Sequence, residues 1–215
     1  MSGIMLNVVG GTFGGIPTIG AAFGGGFFAG QISTAGNSIA DYNLVVSPVS
    51  SGQTSLLWKN VATTTPGSDS DINGVQNTAD MVADGSSTVY PAAHFCNDLV
   101  IGGFSDWYLP AKNELEIYYF NLKPGTQANN TSSGINANAV PARASNYTTS
   151  PSVPSQTSAT DFQTGGTQPF GTFFYWTSTE FSASTANGQN FAYGSFLTGG
   201  KIYPASLRAI RRVAV

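Results

Sequence analysis

From its first charged residue onward, the chain alternates short apolar runs with polar turns. Tyr42-Asn43-Leu44-Val45-Val46 is β-branched and predicts a strand, closed by a Ser-Pro-Val-Ser-Ser-Gly turn. Leu56-Leu57-Trp58-Lys59 predicts a second strand. Helical spacing then takes over. Ser70 and Asp71 are placed to cap a helix carrying Ile72, Val75, Ala79, Met81 and Val82 and ended by Asp84-Gly85. Pro91 suits the first turn of a helix with Ala92, Phe95, Leu99 and Val100 on one side, stopped by Gly102-Gly103. A third helix is expected from Pro110 through Glu114, Leu115, Tyr118, Tyr119 and Leu122 to Pro124-Gly125. Aromatic and β-branched residues return at Thr172–Thr179, and Asn190–Phe196 keeps the strand pattern up to a Thr198-Gly199-Gly200-Lys201 turn. Leu207–Val213 alternates as a closing strand. Strands, helices, loop and strands in that order predict an α+β fold.

Two stretches stand outside this pattern. Residues 1–40 open with Gly- and Phe-rich sequence in which Phe13 and Phe23, ten apart, each precede a glycine pair, and Phe27 and Phe28 follow. Exposed phenylalanines in such a segment want a partner. One reading is an assembly arm over 1–40, with a domain at 41–215 that stays folded when residues 2–30 are removed. The other is an edge hairpin of the domain itself. Residues 126–168 are rich in Ser, Thr, Asn, Gly and Pro with only Arg143 and Asp161 charged, and are long for a loop. They are a functional excursion or a wrap around a partner.

Charge changes the picture most. Only 9% of the 215 residues are charged, against about a quarter in ordinary globular proteins. No charged side chain occurs before Asp41, and three of the four arginines lie in the last eight residues. A net charge of −3 argues against a nucleic-acid partner, which needs a basic footprint. No basic leader precedes an apolar stretch, so no secretory signal is expected. The best apolar window, Ile16–Ile32, is interrupted by Pro17, Thr18, Gln31 and glycines, so no membrane span is expected either. The single cysteine, Cys96, excludes an internal disulfide framework.

Reactive constellations are sparse. His94 is the one histidine and lies two residues from Cys96, a helical spacing that points the two apart. Asp69 and Asp71 lack the glycine and glutamate that would complete a calcium loop, and capping suits them better. Glu114 and Glu116 fall on different helix faces. Gly24–Ala29 fits a loose dinucleotide pattern without the strand and helix that would give it meaning. Asn129, Asn130 and Asn146 head Asn-x-Ser/Thr triplets, fortuitous in so Asn-rich a stretch. No catalytic residue, metal or cofactor is assigned.

One arrangement is specific. Gly102-Gly103-Phe104-Ser105-Asp106-Trp107-Tyr108-Leu109-Pro110-Ala111-Lys112-Asn113-Glu114-Leu115 resembles the G-x-x-D-W-x-L-P-x-x-x-E-L segment of a C-type-lectin-like family. That family includes the C-terminal domains of collagen-like adhesins and is distantly related to the formylglycine-generating-enzyme fold. Tyr175-Trp176-Thr177-Ser178-Thr179-Glu180 resembles its Y-W-S-S-T-E strand, and the closing Leu207–Val213 completes the order. The resemblance implies a C-type-lectin-like α+β domain with Asp106, Trp107, Leu109, Pro110, Trp176, Glu180, Arg208 and Arg211 as landmarks. Glu180 is expected to pair with a terminal arginine. The calcium-dependent sugar-binding motifs of lectins are missing, so that activity is not inherited.

The Gly-rich leader and the Asn-Leu-Lys-Pro helix end resemble bacteriophage virion proteins of tail or fibre type. The resemblance implies a non-enzymatic virion component, assembled in the host cytoplasm, contacting other virion proteins and a host surface glycan or protein. A homo-oligomer, by analogy with fibres a trimer, is expected, although no coiled-coil heptads occur. The alternatives are a capsid decoration or head-fibre protein and an enzyme of the formylglycine-generating type. Ser182–Tyr203 has the Ser-, Asn-, Gly- and aromatic-rich composition of adaptable binding surfaces, with Asn187, Gln189, Asn190, Tyr193 and Tyr203 as candidate ligand-binding residues.

Overall fold

The computed structural model describes residues 15–215. In chain order the main elements are β1 (Ala22–Phe23), β2 (Gly26–Ile32), β3 (Tyr42–Val46), α1 (Val49–Gly52), β4 (Gln53–Leu57), α2 (Gly74–Asp84), α3 (Pro91–Asn97) and α4 (Lys112–Leu122). There follow β5 (Ala139–Val140), β6 (Thr148–Thr149), β7 (Ser152–Val153), β8 (Phe174–Glu180), β9 (Thr185–Asn190), β10 (Phe196–Gly200), β11 (Pro204–Arg208) and β12 (Ile210–Ala214). The fold is α+β, with four short helices against small, mainly antiparallel sheets, as in C-type-lectin-like domains.

One sheet has the order β1-β2-β3-β12, with β5 also on β2; the other runs β10-β9-β8-β11-β4. The expected closing strand is therefore two strands. β11 belongs to the second sheet and β12 to the first, and Ala209 is the hinge between them. Its carbonyl accepts from Ser47 N–H at 3.0 Å and its N–H donates to Gly52 O at 2.8 Å. The β3–α1–β4 connection thus bends alongside β11–β12, and one two-stranded ribbon passes from sheet to sheet.

The first core lies between the first sheet and α4, where Leu44, Val46, Leu115, Ile117, Tyr118 and Leu122 are joined by Phe170, Tyr175 and Phe191. Phe170 stacks on Phe191 with ring centroids 4.3 Å apart. Close approach of α4 depends on a bulge in β2 between Phe28 and Gly30. Gly30 has φ +131°, and a Cβ there would sit 2.8 Å from Ile117 Cγ2. The second core gathers Trp58, Tyr90, Ala93, Trp107, Leu109 and Trp176 under α2 and α3.

Two helices begin later than expected: α2 after Asn73, and α4 at Lys112, two residues beyond Pro110. Asn73 caps α2 by accepting from Gln76 N–H at 3.3 Å. Ser70 Oγ instead takes the N–H groups of Ile72 and Asn73, and Asp71 pairs with Lys112. Pro91 opens α3 as predicted, but the helix ends at Asn97, leaving Val100 exposed. In α4, Glu114 reaches back to Ala111 N–H at 2.8 Å and closes the first turn.

The arm reading is corrected for residues 22–32. Phe28 is buried and Phe27 packs on Phe162 with rings 5.4 Å apart, because β2 lies inside the first sheet between β1 and β3. Phe23, in β1, meets Phe28 edge-on at 6.1 Å. These three are domain residues, and removing residues 2–30 takes most of β2 with it. Phe13 lies outside the described residues. The polar stretch 126–168 packs on its own domain: Asn129, Asn136, Tyr147, Thr157 and Phe162 are all buried.

Candidate binding site

The five residues proposed from Ser182–Tyr203 do not form one site. Gln189 is fully buried, with its Nε2 donating to Gly194 O at 3.0 Å, so it cannot face a ligand. Its residue type suited a binding surface, but the turn at Gly194 and the Tyr147 side chain enclose it. Asn187 donates to Thr179 O at 3.3 Å, across the irregularity where β8 pairs with β9. Asn190 Oδ1 accepts from Ala192 N–H at 2.8 Å and shapes the turn. Tyr193 and Tyr203 are 51% and 67% exposed, but they sit in the turns at opposite ends of β10.

Next to Tyr193 lies a cleft of about 410 Å³ between the N-terminus of α4, the 130–135 loop, Asn146 and the first residue of β10, Phe196. Its wall is fixed by backbone contacts. Asn130 N–H donates to Tyr193 O at 2.7 Å, Tyr147 N–H to Ser133 O at 2.7 Å, and Phe196 N–H to Ser133 Oγ at 3.2 Å. Gly134 adopts φ +123°, and a Cβ there would lie 2.5 Å from Tyr147 Cδ1 and 2.6 Å from its nitrogen. Asn130 Oδ1 is occupied by Ser132 N–H and Ser133 Oγ, which turns its Nδ2 outward. Among the described residues, the Asn146 amide and the Ser132 hydroxyl have no hydrogen-bond partner. Lys112, the single charged residue of the lining, pairs with Asp71 at 3.1 Å and lies 5.7 Å from the centre of the Phe196 ring.

A second cleft of about 410 Å³ runs beside β12, lined by Tyr42, Ile72, Val75, Asp106, Tyr108 and Arg212 among others. Its charges are already paired. Asp106 takes Arg211 in two hydrogen bonds of 2.6 and 2.8 Å. Arg212 donates to Glu114 Oε1 at 2.8 Å and to the Ile72 carbonyl, with its guanidinium 5.1 Å from the Tyr42 ring.

The landmarks fall into separate structural contacts, and Glu180 takes a different partner from the one expected. Glu180 pairs with Lys201 at 2.7 Å and not with an arginine. Among the described residues no carboxylate pairs with Arg208; it donates to Ser47 O at 2.9 Å and Gln168 O at 3.0 Å, and its guanidinium lies over Phe170 at 4.8 Å. It fastens the end of the polar stretch to the hinge. Trp107 and Leu109 are buried in the second core, where Trp176 also lies.

Glu114 and Glu116 do face different ways, but both are fully buried, which their spacing did not suggest. Glu114 accepts from Tyr108 Oη at 2.5 Å as well as from Arg212 and Ala111. Glu116 accepts from Tyr147 Oη and Asn136 Nδ2, each at 2.6 Å, and pairs with Arg143. The signal was present: Leu115, Ile117, Tyr118 and Tyr119 make α4 apolar nearly all round, so its acids had to be buried with it. His94 Nε2 lies 2.8 Å from Gly85 O. Cys96 is buried, and desolvation pushes its thiol well above the ordinary range. No group of three or more His, Cys, Asp or Glu side chains among the described residues could hold a metal ion. No helix among them is long and apolar enough to cross a membrane.

The cleft residues Asn130, Ser132, Asn146 and Phe196 escaped the sequence reading because the loop and β10 meet only in the fold. Only the Asn-rich character of 126–168 pointed to them. A search of curated proteins returned no match to the chain. The family model of the Lcl C-terminal domain matches residues 48–211, a span that holds every landmark from Asp106 to Arg211, and the chain belongs to that family.

Proposed function

We propose that this protein is a non-enzymatic structural component of a phage virion, at the tail or tail fibre, which presents its domain to the host surface. Membership of the Lcl C-terminal domain family supports a structural, adhesin-type role. The observation that carries the reading is the division of charge in the fold. Glu114, Glu116, Arg208 and Lys201 are buried in structural bonds, and Glu180 is nearly so, while the cleft beside Tyr193 is walled mainly by uncharged groups, its one charge, Lys112, being paired with Asp71. Such a surface meets other protein or host surface groups without ionic steering. Assembly as a homo-oligomer, a trimer by analogy with fibres, accompanies this reading.

Labelling of intact particles with an antibody against the domain tests the location. Signal on the tail is expected; signal on the shell would favour a capsid decoration protein. Adsorption of particles carrying Tyr193→Ala together with Asn146→Ala tests the surface. A fall in adsorption rate is expected, and an unchanged rate would remove this face as the receptor site.

A further inference from the structure

We infer that the cleft between the 130–135 loop, Asn146 and Phe196 binds uncharged saccharides through amides, a hydroxyl and an aromatic face. This names the ligand class for the receptor surface proposed above and rests on that reading.

The lining selects the class by its chemistry. Asn130 Nδ2 can only donate, while the Asn146 amide and the Ser132 hydroxyl can both donate and accept. Sugar hydroxyls need that mixture, since each gives one hydrogen bond and takes others. Phe196 contributes a half-buried ring to the lining, and Ile135, 61% exposed, forms an apolar rim. A pyranose has the matching shape, with hydroxyls at its edge and C–H groups on its face. The volume of about 410 Å³ falls within the range of small-molecule sites.

Other classes fit less well. A phosphate, sulfate or uronate would have Lys112 as its only cation, and Asp71 already neutralises that ammonium at 3.1 Å. At the cleft itself, an added peptide strand would need Phe196 N–H, which Ser133 Oγ already takes. A cation-bridged sugar needs carboxylates, and the lining has none. The site is also pre-organised, because Gly134 and three backbone-anchored contacts hold the wall before any ligand arrives.

The test uses the full chain on an array of uncharged hexose and N-acetylhexosamine oligosaccharides, followed by calorimetric titration of those captured. Binding is expected to survive a chelator and high salt. Asn146→Ala, at an exposed position, should weaken it about tenfold while leaving the melting curve unchanged. Phe196→Leu should weaken it further by removing the ring face. A blank array, a variant Asn146→Ala that binds normally, or capture confined to sulfated or uronate sugars with steep salt dependence would overturn the inference. The two proposals fail separately. A blank array with adsorption lost in the Asn146 variant sinks the saccharide and keeps the receptor role. Sugar binding by the unaltered chain, lost in the Asn146 variant while adsorption stays unchanged, does the reverse.

Discussion

Lys201 Nζ lies 2.7 Å from Glu180 Oε2, and the lysine side chain has no contact with solvent. The ammonium also donates to Thr63 O at 3.0 Å, and the same Glu180 oxygen accepts Thr65 N–H at 2.7 Å. Trp58 covers the pair, its ring centre 4.7 Å from the ammonium. The pair therefore ties residues 63–65 to the end of β8 and to the turn after β10. Removing one partner strands the other charge in a dry site. Lys201→Met is expected to destabilise the domain by about 3 kcal/mol, and Lys201→Met with Glu180→Leu by less than the single change. Urea denaturation of both variants measures this; a double variant weaker than the single one would contradict it.

Six tyrosines, Tyr90, Tyr108, Tyr118, Tyr119, Tyr147 and Tyr175, are held above the ordinary phenol value, in each case chiefly by burial. A raised folded value means that the unfolded chain loses these protons first. Their contribution is intact below about pH 10 and is lost as pH climbs above it. Lys123 and Lys201, held low by burial, act in the opposite direction, and their gain ends once pH passes about 10.4. Stability should thus fall steeply in alkali, with tyrosinate absorbance rising together with the loss of circular dichroism. Ionisation of these phenols in a chain that keeps its dichroism would refute the assignment.

Gly134→Ala adds a methyl group where Tyr147 leaves no room and at a positive φ that alanine resists. A loss of at least about 2 kcal/mol is expected. Because the same loop walls the cleft, saccharide binding should fall with it. Thermal unfolding and array binding of one preparation check both effects, and an unperturbed melt would show that the loop yields without cost.

A chain that begins at Ser33 lacks β1 and β2 and so exposes the edge of β3 and the side of α4 that β2 covers. Such a chain is expected to lose cooperative unfolding. A sharp thermal transition with native dichroism would restore the view that residues before 41 are dispensable to the domain.

The fold was legible where local chemistry and packing agree. Pro91 marked a helix start and Pro110 one two residues early, Tyr42–Val46 marked a buried strand, and Asp106–Leu115 with Tyr175–Glu180 the family frame. Reading failed where a residue's role is set by a distant partner. Phe27 and Phe28 looked like an arm because glycines surround them, yet those glycines form the turn and bulge of a core strand. Glu180 was matched with arginine because three lay near the chain's end, whereas Lys201 arrives beside it through the turn after β10. Tyr193 stood out as an exposed aromatic. Its neighbour Asn130 did not, since more than sixty residues separate two segments that share one hydrogen bond.

The Ala209 hinge has a consequence for biogenesis. Each sheet obtains one strand from residues 204–214, and β11 sits between β8 and β4 while β12 closes against β3. During synthesis neither sheet can be completed until this segment leaves the ribosome. The aromatic strand β8 must wait beside an open edge for its neighbour, in a state open to mispairing. A nascent chain that has not yet supplied residues 204–214 therefore holds both sheets incomplete at once, and a single ribbon closes the two together.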